Sequence, residues 1–455
     1  MRPARPDRVC LLCADRIGRP MSGGHGAGAV DGGEVLDVAG VGFGPANLAL
    51  AIALDEFDSA GRAVTARFFE AQKRFGWHRG MLIEGATMQV SFLKDLVTMR
   101  NPTSRFSFLS FLHSRGRMVD FANTQTFFPL RVEFHEYLSW AAEQFEKHVS
   151  YRSEVTEIRP TAGTGVVESV DVSVRTGALD AVPQVHRARN VVIAAGGRPR
   201  MPAGLPESER IWHSSRLLDR ADAIAASKPS SFVVLGSGQS AAECVDYLHG
   251  QFKHAQVHSV HSRYGYSAAD DSAFTNTIFN PEAVDHHFQA PESVRKSLYG
   301  YHANTNYSVV DEDLIRHLYQ TSYLESVTGR RRLNVHNVSR LVEVTRTDDR
   351  LNVVIEFLSD GSTTTIEADA LVCATGYVRA DPKSLLGDLL PRCRQDGQGR
   401  LLLDRNRRVV TDESVKCGIY ALGYGEHSHG LSESLLSLTA VRAGELAEVL
   451  TKELA

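Results

Sequence analysis

The sequence contains no apolar run long enough to span a bilayer. Its longest, Val35 to Leu54, is broken by glycines, Pro45 and Asn47, whereas a spanning helix needs about 20 predominantly apolar residues. A membrane partner is therefore not expected. Charge of one sign is also missing: 50 basic side chains face 54 acidic ones, a formal charge of −4, which provides no general field for nucleic acid or anionic lipid. Cysteine is scarce, with six in 455 residues. Cys244, Cys373, Cys393 and Cys417 stand singly among apolar or mixed residues, which argues against a disulfide framework and fits reduced thiols in the cytoplasm. Cys10 and Cys13 make a single CxxC without a second pair or a nearby pair of histidines, so no metal site is expected there. Low-complexity tracts and arrays of short repeats are absent. Residues 1–34, rich in Arg, Gly and Pro, lack both periodicity and a secretory signal, and read as a disordered leader with Met21 as the expected start.

What is present is enough apolar content, 43%, for large cores and two to three domains. The pattern is organised around Asp37-Val-Ala-Gly-Val-Gly-Phe-Gly-Pro-Ala-Asn-Leu-Ala-Leu50. An apolar strand meets Gly40, Gly42 and Gly44, and an Ala/Leu-rich helix follows. Gly40 is expected to turn the chain and Gly42 to let backbone N–H groups approach a pyrophosphate, with the helix N-terminus adding partial positive charge. Asn47 stands where such a fingerprint has its third glycine. The next strand ends in Glu70, a carboxylate placed to accept from an unphosphorylated ribose. The dense aromatic and polar block from Phe75 to Leu82, with Met88 to Ser104 beyond it, follows directly and is expected to cover the cofactor's ring system. Phe106–His113 and Val132–Phe145 show helical spacing, and Val166–Val174 and Val191–Ala195 read as strands.

A second cradle appears at Phe232-Val-Val-Leu-Gly-Ser-Gly-Gln-Ser240, with Gly236 and Gly238 between strand and helix. The strand after its helix ends without an acid and offers Arg263, a cation suited to a 2′-phosphate, hence NADPH over NADH, or else a solvated surface residue. An insert rich in Asn, His and Tyr follows, from Tyr264 to Ser326. Strands return at Leu333–Val344 and Leu351–Phe357. The run Ala368–Tyr377 reads as a strand that returns the chain to the first nucleotide domain, and a C-terminal amphipathic helix ends near Lys452. The fold class is α/β, with two Rossmann-like dinucleotide-binding domains and a small, mainly helical substrate domain. Expected boundaries are 35–225 and 366–455 for the first domain, 228–265 and 327–365 for the second, and 266–326 for the insert.

Together these stretches resemble the microbial L-ornithine N5-monooxygenases, flavin-dependent N-hydroxylases, over residues 35 to about 450. The most specific parts are Gly42-Phe-Gly-Pro-Ala-Asn-Leu48, Met88-Gln-Val-Ser-Phe-Leu-Lys-Asp95, Phe128-Pro-Leu-Arg-Val-Glu-Phe134, Ala374-Thr-Gly-Tyr377 and His429-Gly-Leu-Ser432. The resemblance implies FAD contacts at Gly42, Gly44, Asn47, Glu70, Trp77, His78 and Gln89, and NADPH contacts at Gln239 and Ser240. It implies a substrate pocket of Lys94, Asn276, Asn306 and Ser437, and commonly a homotetramer. One departure stands out: Phe274-Thr-Asn-Thr277 carries Thr277 where the family usually has an acid.

By the same resemblance NADPH reduces FAD, O2 adds to give a C4a-hydroperoxyflavin, and the amine of L-ornithine attacks the distal oxygen, for siderophore or related biosynthesis. Lys94 is expected to pair with the α-carboxylate, and the amides of Asn276 and Asn306 to hold the other polar end. His78, His427 and His429 are expected to hydrogen-bond around the flavin rather than bind a metal. Three alternatives stay open: a lysine N6-hydroxylase with a pocket one methylene deeper, another two-cradle flavin monooxygenase or reductase, and a silent NADP-binding protein.

Overall fold

The computed structural model describes residues 35–453 except 59–60, 62–63, 162–164 and 178–179. The leader, with Cys10, Cys13 and Met21, lies outside the described residues. Strand Leu36–Val41 sits mid-sheet between Ala66–Glu70 and Gln184–Ile193, parallel to both. Its last four residues are buried, as expected of parallel strands covered on both faces. Val149–Tyr151 extends one edge, and Gly418–Ala421 adds in parallel to the C-terminal half of Gln184–Ile193. The N-terminal half of that long strand pairs instead with an antiparallel ribbon, Val170–Thr176 and Ser153–Pro160. Helices Pro45–Asp58, Arg131–Glu143 and Thr439–Glu453 contribute Leu48, Ile52, Phe134, Tyr137 and Leu446 to the core on one sheet face.

A second sheet is wholly parallel, in the order Leu333–His336, Gln256–Val260, Ser231–Leu235, Ala370–Cys373, Ile211–His213. Three antiparallel strands, Ser339–Arg346, Leu351–Phe357 and Thr363–Ala368, form a separate sheet. The expected run from Leu333 to Val344 is thus two strands in two sheets.

Pairing corrects three boundaries. Ala370–Cys373 belongs to the second sheet, so the chain has not returned to the first at 366, and the return is completed by Gly418–Ala421. Ile211–His213, expected in the first domain, also pairs in the second sheet. Helix Glu312–Thr328, which opens inside the expected insert, packs Leu318 into the second sheet's core and crosses over to Leu333–His336. What remains of the insert is helical: Thr275–Phe279, Pro281–Gln289, Glu292–His302 and Ala303–Thr305.

The chain crosses between the halves at Gly197–Pro199 and Tyr377–Arg379, and these two segments pair as an antiparallel ribbon. The Arg200 guanidinium donates to the Thr375 carbonyl at 2.9 Å and the Thr375 hydroxyl donates to the Arg200 carbonyl.

The first glycine turn differs from expectation. Gly40 is mid-strand, and a Cβ there would lie 2.2 Å from the Phe68 ring, so glycine is needed for close packing. Gly42, at φ +81° and with a virtual Cβ 2.7 Å from the Ala194 carbonyl oxygen, makes the turn. The Asn47 amide donates to the Gly42 carbonyl at 2.7 Å and to the Val41 carbonyl at 3.3 Å. It is fully buried behind the turn, which corrects its assignment as a cofactor contact. Asn47→Ala takes the side-chain donor from the Gly42 carbonyl, while the Val41 carbonyl keeps the Ala194 N–H at 2.9 Å, and is expected to cost about 1–3 kcal/mol, read as a lowered urea midpoint; an unchanged midpoint would show that the brace contributes nothing.

Candidate active site

The carboxyl ends of the strands of both sheets face one cavity of about 3060 Å³. A single drug-sized ligand occupies roughly 300–1,000 Å³, so this cleft has room for two dinucleotides and a small substrate. Its wall includes Gly42, Gly44, Glu70, Trp77, His78, Gln89 and Lys94 from the first half. Gly236, Gly238, Gln239, Ser240, Asn276, Asn306 and Ser437 complete it.

The first cradle is held open by hydrogen bonding. The Glu70 carboxylate accepts from the Phe43 N–H at 2.7 Å and from the Gln72 N–H at 2.8 Å, tying the end of its strand to the glycine turn. At the second cradle, Gly236 has φ +143° and a virtual Cβ 2.4 Å from the Ala374 carbonyl oxygen. Any side chain would fill that turn. Both cradles therefore fit a pyrophosphate lying against bare backbone at a helix N-terminus.

Trp77 and His78 meet edge to face with ring centroids 4.6 Å apart, and His78 holds the left-handed conformation at φ 49°. Burial, with the nearby Arg131 charge, pushes the His78 pKa down to about 4, so its imidazole is neutral at physiological pH. On the same cavity the Ser437 hydroxyl is buried without a protein partner. Lys94 ends the short turn Phe92–Lys94, forms no salt bridge among the described residues, and lies over the Phe279 ring at 5.7 Å. Burial alone lowers its pKa. An unpaired cation and an orphaned hydroxyl on one cavity fit a small zwitterion better than an apolar ligand. Asn276 donates one amide hydrogen to the Asp271 carbonyl at 2.6 Å, which aims the rest of its amide from the turn.

Three expected residues lie elsewhere. The Arg263 guanidinium donates to the Ser308 carbonyl at 2.9 Å and is not on the cavity wall; His261, Ser262 and Arg340 line that end instead. His427 contacts the Leu401 carbonyl at 3.2 Å, and His429 lies between Ser428 Oγ and the Arg405 carbonyl. Neither reaches the cavity, so of the three histidines only His78 does.

Sequence reasoning missed a polar belt across the cleft. Arg131, from the first half, makes a bidentate pair with Glu243 of the second half at 2.8 and 2.6 Å, and also donates to the Met81 carbonyl at 3.0 Å. Gln239 donates to Glu243 and to Asp311, both at 2.9 Å, and accepts from the Asp311 N–H. Gln89 donates to the other Asp311 oxygen at 3.0 Å. Arg131 lies in a motif carried by the resemblance, but nothing in its spacing names a partner. Asp311 precedes a helix and reads as an ordinary cap, although its side chain makes no capping bond.

A mixed sheet and a wholly parallel one, each with a glycine turn on the same cleft, define an α/β protein. The model of the L-lysine 6-monooxygenase/L-ornithine 5-monooxygenase family matches residues 34–379, and the chain belongs to that family. It is 40% identical over 403 residues to the L-ornithine N(5)-monooxygenase of Burkholderia cepacia, covering 87% of this chain and 90% of that one. The solved ornithine N-hydroxylase of Kutzneria sp. 744, with reduced FAD, NADP+ and L-ornithine, superposes with TM-score 0.89 at 47% identity, covering 93% of this chain and all of that one. The L-lysine 6-monooxygenase of Pseudomonas syringae gives TM-score 0.81 at 33% identity, covering 92% and 100%.

Two outcomes follow. Arg131→Met leaves Glu243 buried and unpaired and is expected to cost about 3–5 kcal/mol, with Arg131→Met/Glu243→Met recovering much of it; equal stability of single and double variants would refute the pairing. Burial also brings His258, His287 and His429 to about 4, like His78. Folded pKa values below the unfolded 6.5 mean that the unfolded chain binds more protons in between. Stability is therefore expected to fall as pH drops from 6.5 toward 4, with net uptake of more than one proton on unfolding. A flat urea midpoint across that window would count against it.

Proposed function

We propose that this chain is an NADPH- and O2-dependent FAD monooxygenase that converts the side-chain amine of L-ornithine to N5-hydroxyornithine. The single observation that carries the reading is the shared cavity, which both glycine turns, the unpaired Lys94 and the unpartnered Ser437 hydroxyl line together. The first half would hold FAD at Gly42, Gly44 and Glu70, with Trp77, His78 and Gln89 toward its ring. The second would hold NADPH at Gly236, Gly238, Gln239 and Ser240, and the helical insert would close over the substrate. Bound together, these cofactors supply reducing equivalents and an activated oxygen.

The protein's share is to bind, orient and exclude water. Lys94 pairs with the substrate's α-carboxylate, a charge-assisted contact that no acid of the chain competes for among the described residues. Ser437 and the amides of Asn276 and Asn306 fix the remaining polar atoms. The neutral His78 adds no positive charge to a site that must receive an amine. That amine must be unprotonated to be nucleophilic, and its solution pKa near 10.4 makes turnover rise toward alkaline pH. Assembly as a homotetramer, a cytoplasmic location and use of the product in siderophore or related biosynthesis are part of the proposal and rest on the family resemblance. Ornithine is favoured over lysine because the more similar relatives are ornithine enzymes; a methylene is worth only about 1–3 kcal/mol, so pocket depth alone discriminates weakly.

The test is an amine panel with hydroxylamine formation as readout. Ornithine is expected to exceed lysine and putrescine at least tenfold in kcat/KM, and lysine in the lead would overturn the assignment. Lys94→Ala is expected to keep NADPH oxidation running while hydroxylated product falls more than tenfold; unchanged coupling would remove Lys94 from the substrate site.

A further inference from the structure

The belt that crosses the cleft places residues assigned to different cofactors on one carboxylate. Gln89 and Gln239 donate to the two oxygens of Asp311 at 3.0 and 2.9 Å. Gln239 also accepts from the Asp311 N–H at 2.9 Å, so its amide is gripped from both ends. Asp311 precedes helix Glu312–Thr328, yet its side chain makes no bond to that helix. A residue usually occupied in capping is spent here on two glutamines that line the cavity.

We propose that Asp311 is a positioning residue that couples the two nucleotide sites by sharing its carboxylate between Gln89 and Gln239. This rests on the functional reading above. Gln239 opens the helix that follows the second glycine turn, so a nucleotide at Gly236 to Ser240 immobilises that first turn. Ordering Gln239 orders Asp311, and ordering Asp311 orders Gln89 on the flavin side. Each nucleotide then meets a belt that the other has already fixed, and the cost of fixing it is met once rather than twice. Binding at the two sites is therefore cooperative through the protein, and linkage requires the effect to be reciprocal.

The test uses purified holoenzyme and 2′-phospho-ADP-ribose, which can occupy the second cradle but has no nicotinamide to touch a flavin. FAD release is followed by its fluorescence, with and without saturating ligand. In the parent protein the ligand is expected to slow release about fivefold or more, the lower end of ordinary coupling. In Asp311→Ala and in Gln89→Ala the ratio is expected to fall to within about twofold of one, while calorimetry shows that the ligand still binds. A merely structural loss would speed release equally with and without ligand and leave the ratio intact, which would overturn the proposal. Should Asp311→Ala fail to fold, Gln89→Ala carries the same comparison. Protein that binds both nucleotides with a parent ratio near one refutes the coupling alone; protein that binds no FAD refutes the functional reading beneath it.

Discussion

The ion pair between Arg131 and Glu243 is the constraint on which the rest of the cleft depends. Both side chains are buried and come from opposite halves. Two desolvated charges are costly unless geometry and further hydrogen bonds compensate, and here the guanidinium is bidentate and also meets main-chain carbonyls of the first half. Such a contact tolerates little displacement. It thereby ties the half that carries one glycine turn to the half that carries the other, and nucleotides held as proposed would inherit that spacing.

Around this fixed span the two halves have different covering. The first sheet is packed by three long helices and carries the block from Phe75 to Lys94, most of which lines the cavity. The second carries a crossover helix whose leading residue, Asp311, turns back into the cleft. The residues proposed to hold substrate come from neither sheet. Lys94, Asn276, Asn306 and Ser437 sit on short turns, where backbone irregularity lets side chains converge from four places in the chain.

Much of this was legible in the sequence because the signals were local. A strand, a glycine turn, a helix and a second strand succeed one another within some thirty residues, and both cradles could be read that way. Long-range pairing could not be. The strand Ala370–Cys373 is an apolar run that suits either parallel sheet equally, and only its neighbours Ser231–Leu235 and Ile211–His213 show which one it joins. Asn47 and Gly40 were misread for a related reason: each lies in the fingerprint, but burial turns one side chain away from the cavity and sheet packing dictates the other residue. His427 stands near a quoted motif and His429 opens it, yet each spends a ring nitrogen on a backbone carbonyl, and His429 its other one on the Ser428 hydroxyl.

The ribbon formed by Gly197–Pro199 and Tyr377–Arg379 has a mechanical consequence. Because both passages between the halves run side by side and are cross-linked by main-chain bonds, they act as one strap with a preferred bending direction rather than as two independent swivels. Twisting one half about the strap's long axis would shear the ladder, whereas flexing across its face would not. Cutting either strand alone would leave the two lobes tethered by the other.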